Sequence, residues 1–79
     1  MTNRASVRMW NNSLQPLHII LEPYATEFTL PAGSTCEVVG HCERAVPEIS
    51  IEYTGTGLVF WGETTDAVYE YWQDETLID

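Results

Sequence analysis

Four residues have side chains whose type could support metal or nucleophile chemistry: His18, Cys36, His41 and Cys42. Structural zinc sites are built from thiolates and imidazoles, four to an ion. Here the paired C-x2-C knuckle is absent, so a full ligand set would need Cys36, His41 and Cys42 to converge with the distant His18. If residues 36–42 are extended, six steps of about 3.3 Å separate the two cysteines by roughly 20 Å. A disulfide needs Cα atoms about 4.4–6.8 Å apart. Gly40 could turn the chain and relieve that separation, which keeps a metal site and a bridge as alternatives. The reading most in line with the chemistry of free cysteine is two small, buried thiols. A reducing compartment points the same way.

Nucleophilic catalysis has little support. His41 and Cys42 are neighbours, and neighbours on a strand point to opposite faces. Cys36 or Ser34 could meet His18 across strands, but nothing in the spacing selects that arrangement, and G-x-S-x-G is absent. The chain contains no Lys, which removes Schiff-base chemistry and the phosphate-binding P-loop. Its 12 acidic residues fall mostly where alternation predicts a solvated face. No D-x-D-x-D-G loop points to calcium. The expectation is a protein that is not an enzyme and needs no cofactor.

The aromatic residues are the more informative set. By parity Trp61 lies opposite Phe60, while Tyr69 and Tyr71 lie opposite Val68 and Trp72. A small domain cannot bury both sets deeply. Trp and Tyr offer wide contact area with a polar handle, which suits interfaces and flat ligands. The expectation is therefore an outward aromatic face of Trp61, Tyr69 and Tyr71 within an acidic rim of Glu52, Glu63 and Glu70. Such a face would dock a protein partner, one with a basic surface being favoured, or a second copy in a homodimer. A carbohydrate-binding module with Trp or Tyr platforms is the alternative, and a metal protein built on Cys36, His41 and Cys42 is a third. Against all three stands a plain core filled with large side chains.

The elements that must carry these residues are strands. Turn formers recur every eight to ten residues, at Asn11-Asn12-Ser13, Glu22-Pro23, Pro31-Ala32-Gly33-Ser34, Gly40, Val46-Pro47, Gly55-Thr56-Gly57, Thr64-Thr65-Asp66 and Gln73-Asp74-Glu75. Such spacing indicates many short strands. Ile49, Ile51 and Tyr53 alternate with Glu48, Ser50 and Glu52, and Leu17, Ile19 and Leu21 alternate with His18, Ile20 and Glu22. Residues 58–61 and most of 67–72 are apolar on both faces. No stretch of ten residues keeps a clean helical period, although Asp66 could cap a short helix reaching toward Asp74. The sequence thus predicts one all-β domain over residues 1–79, a small antiparallel β-sandwich or barrel of about seven short strands with little or no helix. Antiparallel order is expected because parallel pairs need long crossovers. Thr54-Gly55-Thr56-Gly57 should turn one hairpin, residues 58–72 should form a second, and Gln73-Asp74-Glu75 should turn a last one into Thr76-Leu77-Ile78.

Composition sets the outer limits. The formal net charge is −9, and the only reliable cations are Arg4, Arg8 and Arg44. That balance disfavours nucleic acid and anionic membranes, both of which call for clustered Lys and Arg. No apolar run approaches the roughly 20 residues of a spanning helix. The opening residues lead into a polar stretch rather than an apolar leader, so the expected location is the cytoplasm.

Overall fold

A computed structural model describes all 79 residues. It contains eight strands and no helix: β1 (Asn3–Trp10), β2 (Leu17–Glu22), β3 (Thr26–Leu30), β4 (Thr35–Cys42), β5 (Ile49–Tyr53), β6 (Gly57–Gly62), β7 (Val68–Gln73) and β8 (Thr76–Leu77). The strands form two four-stranded sheets, β1-β4-β7-β8 and β3-β2-β6-β5, so the chain is an all-β sandwich. No helix is long and apolar enough to cross a membrane. The stretch from Asp66 to Asp74 is a turn followed by β7, in keeping with its β-branched and aromatic content.

The alternation of residues 17–22 is matched by burial, whereas on β5 Ile51 and Tyr53 stay exposed beside their polar neighbours. Ile19 and Leu21 are buried, while His18 lies on the solvent face. Their partners Leu30, Phe28, Leu58 and Phe60 lie on the same inner face, in register with Leu17, Ile19 and Leu21. From the other sheet Cys36, Val38, Tyr69 and Tyr71 close the core. Phe28 stacks on Tyr71 with ring centroids 3.8 Å apart and planes 12° from parallel, an arrangement that adds to simple burial.

Two topological expectations are corrected. β2 and β6 are parallel, pairing Ile19 with Leu58 and Leu21 with Phe60. The long connection that a parallel pair requires exists, because the chain passes through β3, β4 and β5 before returning as β6. Residues 58–72 are not a hairpin: β6 and β7 belong to different sheets. The two shorter hairpins do form. Tyr53 pairs with Leu58 across Gly55, whose φ of 92° is open to glycine at no steric cost. Trp72 pairs with Leu77 across Asp74 and Glu75, both with positive φ, the backbone of a type I′ turn.

Tyr69 ties the sheets together. Its ring lies between the backbones of Gly40 in one sheet and Gly62 in the other, so close that a Cβ on either glycine would overlap the ring. Its hydroxyl donates to Glu48 O at 2.8 Å and accepts from Thr64 N at 3.1 Å. Asn11 does similar work at the opposite end, where its amide donates to Gln15 O and Leu30 O at 2.9 and 3.0 Å. A buried polar side chain is tolerated in both places because each has partners.

Candidate interaction surface

The aromatic residues expected to form one outward face are divided between two places. Tyr69 and Tyr71 point inward, 5% and 0% exposed, which reverses the expected outward orientation. The parity was right, since Val68 and Trp72 do lie on the side opposite them. What sequence could not supply was which side faces the second sheet. Tyr69 is held there by its hydroxyl bonds, and Tyr71 by Phe28. Trp61 is turned outward on the other sheet, 38% exposed.

The acidic residues divide likewise. Glu52 accepts a hydrogen bond from Trp61 Nε1 at 3.0 Å, and Glu63 accepts one from Ser50 Oγ at 2.8 Å. Ser50 is the cross-strand partner of Trp61, so Trp61, Glu52 and Glu63 share a face. Glu70 lies on the far side of the molecule, on the outer face of β7. There its carboxylate accepts from Trp72 Nε1 at 3.1 Å and approaches His41 Nε2 at 3.2 Å. The Trp72 hydrogen bond, with His41 and Arg4 nearby, holds the Glu70 carboxyl below its ordinary value of 4.5 against a smaller opposing effect of burial.

The Cys and His side chains are not brought together. Cys36 and Cys42 are both buried, six residues apart on one uninterrupted strand. His41 pairs with Arg4 and Val68 on that sheet's outer face. His18 is on the other sheet, 2.7 Å from Glu27. Gly40 does not turn the chain, because β4 runs straight through it. Burial pushes the Cys36 thiol up from 9.0 to about 11, which leaves almost no thiolate at neutral pH. Beside it, burial and the neighbouring thiol also raise the Tyr71 phenol.

Parity and register define the outer face of the β3-β2-β6-β5 sheet. Ile20, Val59 and Trp61 form its centre, with Ile20 opposite Val59 and Glu22 opposite Trp61. Glu27 and Glu52 extend the row of Ile20 and Val59. Glu63 N donates to Glu48 O, which continues the ladder by one pair. Glu22, Glu27, Glu48, Glu52 and Glu63 therefore surround an apolar strip that includes an exposed indole. No Arg lies on this face. The outer face of the β1-β4-β7-β8 sheet differs: Arg4 and Arg8 are on β1, alongside His41, Glu37, Glu70 and Trp72. Sequence reading missed Ile20 and Glu22 as part of the surface. Their signal was present in the alternation of residues 17–22, but the parallel neighbour that places Trp61 beside them was not.

No protein-family model, curated protein or solved structure matches this chain.

Proposed function

We propose that the protein is a small, non-enzymatic interaction module that docks a basic protein partner on the outer face of the β3-β2-β6-β5 sheet. The observation that carries this reading is the half-exposed Trp61 at the centre of a ring of glutamates. An aromatic anchor gives contact area, and the surrounding carboxylates speed encounter with a positive surface and discriminate against a negative one. His18 and His41 lie on opposite outer faces with Cys36 and Cys42 buried between them, which gives a Cys–His pair or a four-ligand metal site no support. Two free thiols suit a cytoplasmic setting.

The test uses an arginine-rich model peptide carrying one aromatic residue, titrated into the protein by calorimetry. Binding in the micromolar range is expected, weakening steeply as salt is raised. Trp61→Ala should abolish most of it, and Glu52→Gln with Glu63→Gln should reduce it several-fold. A sugar ring stacked on Trp61 would behave differently, with little dependence on salt or on the glutamates. Absence of peptide binding at low salt, or binding insensitive to both sets of substitutions, would overturn the proposal.

A further inference from the structure

We infer that two copies of this chain join edge to edge, β1 of each pairing in parallel with β5 of the other. β1 and β5 are edge strands of their respective sheets and lie on the same side of the sandwich. β1 is eight residues long with its second edge unpaired, and neither strand contains proline. Unprotected edges are templates for pairing. The inward-facing side chains of β5 are also incompletely covered: Ile51 is 48% exposed and Tyr53 73%.

The direction of pairing follows from which backbone groups are free. Asn11 N donates to Ser34 O in register with the β1–β4 ladder. Alternation then turns the N–H and C=O groups of Arg4, Ser6 and Arg8 toward the open edge. On β5, Glu48 O accepts from Glu63 N and Thr54 N donates to Gly57 O. Hence Glu48, Ser50 and Glu52 face β6, and Ile49, Ile51 and Tyr53 present their backbone groups to the open edge. Antiparallel pairing would set two outward-pointing residues opposite each other, and so an outer-face side chain of β1 against an inner-face side chain of β5. Parallel pairing sets a residue that points out opposite one that points away. That places Arg4, Ser6 and Arg8 opposite the even-numbered residues of β5 and keeps both faces continuous.

Charge selects the register. Arg4 and Arg8 are four apart on the outer face of β1, and Glu48 and Glu52 are four apart on the outer face of the β5 segment. In one register Arg4 meets Glu48 of the second copy, Ser6 meets Ser50 and Arg8 meets Glu52. The same register puts Ala5, Val7 and Met9 opposite Ile49, Ile51 and Tyr53. Neither arginine is held in an ion pair within the chain. No Asp or Glu occurs before Glu22, so β1 is the strand on which an acidic protein repels its own copy least.

A twofold axis along the strands satisfies both contacts at once. It requires β1 and β5 to run in the same direction at matching heights. β7 runs with β1, both being antiparallel to β4. From Tyr69 to Tyr71, β7 passes from Gly62 toward Phe28, whose neighbours are Ile19 and then Leu58, so β7 opposes β6, as β5 does. The heights are matched through Tyr69: Ala5 pairs with Gly40, Gly40 and Gly62 flank the Tyr69 ring, and Gly62 pairs with Ile49. Each sheet of one copy then continues into the opposite sheet of the other.

Sedimentation equilibrium tests this without any peptide, so its outcome is read separately from peptide binding, although Glu48 and Glu52 border the Trp61 surface as well. The wild type is expected at twice 9.0 kDa at tens of micromolar. Arg4→Glu and Glu48→Arg should each weaken the dimer roughly tenfold or more, and the two together should restore it. Ser6→Pro removes an N–H that β4 does not use and should yield a folded single chain. A wild type that stays at 9.0 kDa at several hundred micromolar would overturn the inference. So would a dimer that Arg4→Glu, Glu48→Arg and Ser6→Pro all leave intact.

Discussion

Glu70 shows how much a single side chain depends on its face. It was expected on the rim around Trp61 and instead lies across the molecule with Trp72 and His41. Its depressed ionisation makes an acid-linked contribution to stability. Because the folded state binds the proton less tightly than the unfolded chain, the contribution is present above the ordinary value of 4.5 and is lost as pH falls through the lower folded value. The urea midpoint should therefore drop between about pH 5 and pH 3, and drop less in Glu70→Gln. Cys36 carries a second expectation. With its ionisation pushed to about 11, a thiol reagent at pH 8 should leave Cys36 unmodified in the native protein and label it in denaturant. At this scale the sequence was legible in type but not in place. Alternation correctly separated Trp61 from Phe60 and Tyr69 from Val68. It has no sign, so it could not say that Tyr69 points inward; Gly40 and Glu48, from distant parts of the chain, decide that together with the nearer Gly62 and Thr64.

Among the elements, strand positions were readable because the segments are rich in β-branched and aromatic residues, alternate in several cases, and are bounded by turn formers. The parallel β2–β6 pair was not readable. It depends on Gly57, where a Cβ would overlap His18 O, a backbone-to-backbone approach with no local sequence mark. Gly57→Ala should destabilise the fold by about 2 kcal/mol or more, since backbone cannot move aside as a side chain can. The turn between β7 and β8 offers the opposite test. Asp74 and Glu75 hold φ values of 48° and 67°, a region unfavourable to residues with a Cβ. Replacing the pair with Asn-Gly should stabilise the protein by about 1 kcal/mol. Thermal or urea unfolding reads both changes.

At the scale of the whole molecule, a net charge of −9 is not spread evenly. One sheet presents Glu22, Glu27, Glu48, Glu52 and Glu63 around Trp61, and the other presents Arg4 and Arg8 among Glu37, Glu70 and His41. Composition alone showed the acidity but could not show its polarity, because sheet membership is set by long-range pairing. The same polarity supplies an internal control for the proposed function. The three indoles are on two faces: Trp61 on the acidic one, Trp10 and Trp72 on the other. The most direct measurement is a nitrogen–proton correlation spectrum recorded while the arginine-rich peptide is added. The Trp61 indole signal should shift with added peptide while that of Trp72, two strands in from the β1 edge, stays fixed, and the shift should vanish in high salt. Movement of Trp72 with Trp61 unchanged would contradict the assignment of the binding face.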